Sequence, residues 1–187
     1  TLVHSIDEIS HHDNVTYPIV VKPNEQGSTI GLSIVHDQSE LSSALELAFL
    51  HGKEVILEQY IQGRELTVSI VGEQVFPIVD IRPSHELYDY ECKYTEGMSD
   101  YNVPADLSDS LARKISEDAL KIYKTIGCQH YARADFRLNE KDEHYLLEIN
   151  TLPGMTSTSL LPKAAKAVGL EFPELIDTII KLACAEQ

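Results

Sequence analysis

Two segments late in the chain restrict the fold more than any other feature. Residues 131–138 read YARADFRL and residues 144–150 read HYLLEIN. Both alternate with the two-residue period of a β-strand. In the first, Ala134, Phe136 and Leu138 share one face and Arg133, Asp135 and Arg137 the other. In the second, Tyr145, Leu147 and Ile149 share one face and Leu146, Glu148 and Asn150 the other. The intervening EKDE suits a four-residue hairpin loop. The expected register sets Leu138 opposite Tyr145, Phe136 opposite Leu147 and Ala134 opposite Ile149. It also sets Asp135 opposite Glu148, and Arg133 opposite Asn150. A slip of one residue would pair apolar with charged side chains and is disfavoured.

Two acids directly across from each other repel, and a divalent cation would remove that cost. All-oxygen donors with an amide among them suit Mg²⁺, which usually keeps waters and nucleotide phosphates as further ligands. A solvated outer sheet face with incidental charges accounts for the same pattern, because half-polar antiparallel strands are common. After Asn150 the chain breaks at Pro153-Gly154 into a loop of small hydroxyl residues.

The rest of the chain alternates short strands and helices. YPIVVKP (17–23) reads as a strand, NEQGSTIG (24–31) as a glycine-containing loop and LSIV (32–35) as a strand. The loop lacks the Gly-Lys-Ser/Thr ending of a Walker A loop, and a strand follows it where that motif requires a helix. A strand–loop–strand of this kind can fold over phosphates or be a plain turn. Asp37 and Glu40 resemble a capping box ahead of Leu41, Ala44, Leu45, Ala48 and Phe49 at helical spacing, with Gly52 as the stop. EVILEQYI (54–61) reads as a strand and ELTVSIVGEQVFPIVDI (65–81) as a hairpin around Gly72. Residues 82–104 form a long polar segment with four tyrosines, expected to be a functional or disordered loop. Leu111, Ile115, Ala119, Ile122 and Ile126 predict one face of a helix that ends at Gly127. A further helix stops near Gly169, and the last starts at Pro173.

The formal charge of −15 argues against a non-specific nucleic-acid surface. Three widely spaced cysteines without metal-type spacing suit a reducing cytosol. No apolar run is long enough to cross a membrane, and no signal peptide is recognisable. The start at Thr1 reads as a piece of a longer protein.

Taken in order, VVKPNEQGSTIGLS, ILEQYIQGRELTVSIVG, LYDYECKYTEG, YARADFRL and YLLEINTLPGMTSTSLLPKAA resemble the D-alanine–D-alanine ligases of the ATP-grasp superfamily. The resemblance runs from about Tyr17 to the last helix. It implies an α+β ATP-grasp fold of antiparallel sheets flanked by helices. Residues 1–57 would be the later part of the central subdomain, and 58–187 the C-terminal subdomain with the metal and acceptor sites. It implies an ATP-dependent carboxylate–amine ligase. ATP phosphorylates the carboxylate of one D-alanine, the amine of a second attacks the acyl phosphate, and the dipeptide goes to peptidoglycan synthesis.

The resemblance also assigns roles. Asp135, Glu148 and Asn150 match the ligands of two Mg²⁺ or Mn²⁺ ions, with Glu148 bridging. Arg133 matches an arginine that stabilises charge during transfer, and Gly154 a backbone donor to the tetrahedral oxyanion. Ser159 and Leu160 match the clamp on the acceptor carboxylate. Lys22 and Lys93 match phosphate-binding lysines. Glu58, Gln59, Tyr60 and Ile61 match the adenine hinge, Glu65 the ribose-binding acid and Leu147 an adenine-packing residue. Ser28 and Tyr94 match a hydrogen-bonded pair that closes the flap. The implied setting is cytoplasmic, with a homodimer for the full-length protein and no nucleic-acid or membrane partner.

Nothing in residues 1–16 matches the family's donor-substrate acid or its further phosphate lysine, so the isolated piece is expected to be inactive. Gln59 stands where a lysine is commoner. The alternatives are a D-alanine–D-lactate ligase, which a Phe at Tyr94 would mark, another ATP-grasp carboxylate–amine ligase, or a nucleotide-binding fragment without turnover.

Overall fold

The computed structural model describes residues 1–6, 8, 16–84, 95 and 97–185. The chain forms two compact units, one of residues 1–61 with 83–99 and one of residues 62–82 with 100–187. This division differs from the expected boundary after residue 57, and the first unit also takes in Pro83–Ser99.

The first unit holds a four-stranded antiparallel sheet. Its strands are β1 (Leu2–Val3), β2 (Ile19–Pro23), β3 (Ser33–Val35) and β4 (Val55–Gln59), in the order β1-β4-β2-β3. Helix α1 (Leu41–His51) covers it, entered through a 3₁₀ turn at Gln38–Glu40. Asp37 starts that turn by accepting from the Ser39 N–H at 2.7 Å, and the Glu40 carboxylate reaches back to the His36 N–H at 2.8 Å. The reciprocal pair expected of a capping box therefore closes one residue earlier, on His36. Leu41, Ala44, Leu45 and Ala48 pack on Val3, Ile19, Val21, Val35, Val55 and Leu57.

The second unit is built on a larger sheet. Its strands are β5 (Arg64–Val71), β6 (Gln74–Val75), β7 (Val79–Pro83), β8 (Ser99–Asn102), β9 (Tyr131–Leu138) and β10 (His144–Asn150). The order is β10-β9-β5-β7-β8, with β6 against β5. The central ladder pairs β5 and β9 along eight residues, from Arg64↔Leu138 to Val71↔Tyr131. Alternation then sends Leu66, Val68, Ile70, Ala132, Ala134, Phe136 and Leu138 into one core. Each fully buried Leu, Ile, Val or Phe there contributes about 1.5–3 kcal/mol. The same period puts Glu65, Thr67 and Ser69 beside Arg137, Asp135 and Arg133 on the other face. β8 emerges from the end of the segment expected to be all loop.

Helix α2 (Asp109–Thr125) closes the core. Its buried residues are Ile115, Ala119 and Tyr123, while Ile126 is 55% exposed. This corrects the expected stripe: the helix stops at Thr125, and Tyr123 continues the four-residue spacing that Ile126 was to carry. Ser108 caps α2 by accepting from the Leu111 N–H at 3.4 Å. Ser108→Ala is expected to cost about 0.5–1 kcal/mol, the lower part of the range for a lost N-cap because this bond is long. Urea unfolding measures it. Helices α3 (Leu160–Lys166) and α4 (Phe172–Cys184) end the unit, and α4 opens with a capping box between Glu171 and Glu174.

The β9–β10 register agrees with expectation at one end and not at the other. Asp135↔Glu148, Ala134↔Ile149 and Arg133↔Asn150 pair as expected. Nearer the turn, Leu138 faces His144, Arg137 faces Tyr145 and Phe136 faces Leu146, with a bulge between Leu146 and Glu148. The turn is the cause. The Asn139 side chain accepts from the Lys141 and Glu143 N–H groups, both at 2.9 Å. The Asn139 N–H bonds the Glu143 carbonyl at 3.0 Å, and Asp142 takes φ 60°. That leaves a three-residue loop, one shorter than expected, with a left-handed residue at its end. The bulge at Leu147 absorbs the offset and returns the acids to register. Leu146 therefore shares the face of Phe136, and Tyr145 that of Arg137, the reverse of the expected assignment. The His144 ring meets Phe136 edge-on at 5.8 Å and bonds Asp118 of α2 at 2.8 Å.

Candidate functional site

The polar face of the second unit converges on Asp135. Its carboxylate is 9% exposed as a residue and fully occupied. Thr67, from β5, donates its hydroxyl to Oδ1 at 2.6 Å. Arg133 forks onto it, Nε to Oδ1 at 2.9 Å and Nη2 to Oδ2 at 2.7 Å. Asn150, from β10, donates Nδ2 to Oδ2 at 3.0 Å and to Glu148 Oε1 at 3.1 Å. Four of the residues singled out in the sequence thus form one network. The mutual repulsion of the two acids is offset by a guanidinium and an amide. Charge-assisted forked bonds of this kind are among the stronger ones.

Thr67 was not singled out, and neither was Arg137. Arg137 approaches Glu65 at 3.5 Å on the same face, both side chains largely buried. The only local signal for either was its position in an alternating strand. Leu147 is unpaired at the bulge and 40% exposed, so it is not a core leucine. Among the described residues no three His, Cys, Asp or Glu side chains stand together as a cation cluster. The carboxylate pair has an amide as its third member instead. A cavity of about 450 Å³, lined in part by Ile122, Phe136, His144 and Leu146, opens on the opposite face, beside α2.

The loop after β10 is tied to the start of α3. Pro153 is buried and Gly154 exposed. A Cβ at Gly154 would lie 3.1 Å from the Ser159 hydroxyl. Ser159 holds the N-cap position of α3 without capping it. Its oxygen accepts instead from the Thr156 N–H at 3.0 Å and lies 2.8 Å from the Thr156 hydroxyl. The Ser159 hydroxyl thus closes the loop on Thr156 rather than capping α3. Leu160 is buried as the first residue of α3. Lys163 donates to the Thr158 carbonyl and lies 4.8 Å over the Tyr101 ring. Its partial desolvation lowers its pKa below the usual lysine value.

In the first unit Lys22 pairs with Glu58 at 2.8 Å across the β2–β4 ladder. Gln59 ends β4 opposite Ile19. The Tyr60 N–H is taken by the Pro18 carbonyl at 3.2 Å, and Ile61 closes the segment. Ser28 and Thr29 adopt φ 55° and 65°, and Gly31 φ 71°, so the loop turns on three left-handed positions within four residues. At Gly31 a Cβ would come within 2.9 Å of the His51 ring and 3.0 Å of the Pro23 ring, so a side chain there would be both crowded and strained. Lys93 and Tyr94 lie outside the described residues, and with Tyr94 the expected Ser28–Tyr94 bond.

Residues 4–181 match the family model described as D-ala D-ala ligase C-terminus. The chain belongs to this ligase family. The D-alanine–D-alanine ligase of Syntrophotalea carbinolica is 48% identical over 164 residues, covering 88% of this chain and 53% of that protein. That of Halalkalibacterium halodurans is 43% identical over 173 residues, covering 90% of this chain and 57% of that one. The chain thus spans about half the length of the curated ligases it matches. Among solved structures, the Bacillus anthracis D-alanine–D-alanine ligase complexed with ATP is 37% identical with a TM-score of 0.80, covering 99% of this chain and 60% of that one. The VanG D-Ala:D-Ser ligase of Enterococcus faecalis is 36% identical with a TM-score of 0.79, covering 94% of this chain and 52% of that one. The fold is the α+β ATP-grasp fold of these ligases, as the resemblance implied.

Proposed function

We propose that the chain is the nucleotide, metal and acceptor portion of an ATP-dependent D-alanine–D-alanine ligase, which makes D-alanyl-D-alanine through an acyl phosphate for peptidoglycan synthesis. The observation that carries the reading is the convergence of Asp135, Glu148, Asn150 and Arg133 on one sheet face in a member of this ligase family. Residues 1–57 belong to the central subdomain in this reading and 58–187 to the C-terminal one. The protein works in the cytoplasm as a homodimer.

The donor set at Asp135 fits a hard cation, being two carboxylates and an amide with no sulfur or imidazole. Asp135, Glu148 and Asn150 would hold two Mg²⁺ or Mn²⁺ ions, which would supply charge neutralisation for phosphoryl transfer. Arg133, held in place by Asp135, presents its guanidinium to the oxyanion that develops there. Glu65 receives the ribose, and Leu147 packs on the adenine, which explains an exposed leucine at a bulge. Glu58, Gln59, Tyr60 and Ile61 line the adenine edge. Lys22 and Lys93 bind phosphates, and Ser28 with Tyr94 closes the flap. Gly154 donates its N–H to the tetrahedral intermediate, while Ser159 and Leu160 hold the acceptor carboxylate.

The test is ATP-dependent phosphate release by the full-length protein with D-alanine, comparing D-alanine, D-serine and D-lactate as acceptor. Release with D-alanine alone supports the reading, and a preference for D-lactate or D-serine moves the chain to a neighbouring ligase class. Glu148→Gln is expected to weaken Mn²⁺ binding in the presence of nucleotide by more than about a hundredfold. Stability should stay within about 1 kcal/mol, because the change removes one of two repelling charges. An unchanged Mn²⁺ titration would take the cation away from this face.

A further inference from the structure

We infer that the Asn150 carboxamide is the latch of the cation site, its NH₂ group standing in the cation's place until the amide inverts. The inference rests on the reading of Asp135, Glu148 and Asn150 as cation ligands. It follows from a count of lone pairs. An ionised carboxylate offers about four acceptor directions. Asp135 has all four filled: Oδ1 by Thr67 at 2.6 Å and Arg133 Nε at 2.9 Å, Oδ2 by Arg133 Nη2 at 2.7 Å and Asn150 Nδ2 at 3.0 Å. The same Nδ2 reaches Glu148 Oε1 at 3.1 Å. Both neighbours are carboxylate oxygens, which only accept, so the amide must face them with its nitrogen.

One donor has to leave before Asp135 can bind a cation. Thr67 is fully buried, stiff at χ1, and also within 3.4 Å of the Ala134 carbonyl. Arg133 would forfeit two charge-assisted bonds. Asn150 contributes one bond from a neutral donor to each acid. Its terminal torsion is broad and roughly two-fold, so it can exchange nitrogen for oxygen without moving the backbone. That one rotation frees a lone pair on Asp135 Oδ2, frees Glu148 Oε1, and sets an amide oxygen beside both. All three ligands arise together. Thr67 and Arg133 stay on Asp135, and Thr67 acts as a positioning residue for it.

The experiment follows the Asn150 side-chain NH₂ signals by NMR in the ¹⁵N-labelled full-length protein, assigned by their loss in Asn150→Asp. Titration with Mg²⁺ and a non-hydrolysable ATP analogue is expected to shift both signals and remove their protection from exchange. Mn²⁺ binding is read separately by electron paramagnetic resonance. In chelator, Asn150→Asp is expected to melt about 4–8 °C below the parent, because three carboxylates then meet without the amide donor, and Mn²⁺ should restore it. Unmoved NH₂ signals with Mn²⁺ bound would overturn the latch and leave the cation site standing. No bound Mn²⁺ with nucleotide present would overturn both. An Asn150→Asp melting point equal to the parent's in chelator would overturn the stand-in role.

Discussion

Asp135→Ala is expected to lower stability by about 3–5 kcal/mol and, in the same variant, to abolish cation-dependent nucleotide binding. The carboxylate is the shared acceptor of Thr67, Arg133 and Asn150. Removing it takes from the Arg133 guanidinium, whose side chain is 17% exposed, the two charge-assisted bonds it makes to the Asp135 carboxylate. It also leaves the fully buried Thr67 hydroxyl with only the long contact to Ala134. An orphaned buried hydroxyl costs about 1–3 kcal/mol by itself. The comparison with Glu148→Gln separates two kinds of residue. Glu148 is expected to matter for the cation and little for the fold, while Asp135 matters for both. Urea unfolding in chelator together with Mn²⁺ titration reads the two effects apart. A stability loss under about 1 kcal/mol for Asp135→Ala would mean that the network relaxes around the gap, and the four-bond description of Asp135 would be wrong.

Gly63→Ala is the second large effect, with an expected loss of about 3–5 kcal/mol. Gly63 precedes β5 at φ 143°, and a Cβ there would stand 2.0 Å from the Leu138 carbonyl oxygen and 2.8 Å from its carbon. Both are backbone atoms of a residue paired on two sides, with Arg64 and with His144. Nothing flexible can yield. Overpacking accounts for about 1–3 kcal/mol or more, and the left-handed backbone for a further 1–3 kcal/mol. The strain enters two residues from the Glu65–Arg137 pair, so nucleotide affinity should fall with stability, though cation binding at Asp135 should survive. A midpoint of urea unfolding equal to the parent's would show that the β5–β9 ladder shifts freely at this end.

Much of the site could be read from local chemistry. Asp135, Glu148 and Asn150 are brought together because two alternating strands joined by a short turn must pair, and the bulge at Leu147 restores the register that the turn offsets. Helix α1 was legible from Leu41, Ala44, Leu45 and Ala48, and α4 from Pro173. The reading failed where a local preference competed with alternation. Asn139 accepts two backbone N–H groups and shortens the turn, so the register near Tyr145 slips, and Leu147 bulges to recover it. Tyr123, four residues beyond Ala119, takes the core position expected of Ile126, which sits exposed at the C-cap.

What the amino-acid sequence determined by itself is therefore most of the strands, the two faces of β9, and the placing of two acids and an amide on one face at the far end of β10. What only the tertiary structure decided is the company that face keeps. Thr67 reaches Asp135 across 68 residues, and Arg137 reaches Glu65 across 72. A period of two says which way a side chain points but not which distant strand lies beside it. That choice is made when β5 is buried between β9 and β7, where Leu66, Val68 and Ile70 fill the core under α2 and leave Thr67 the Asp135 carboxylate as its acceptor.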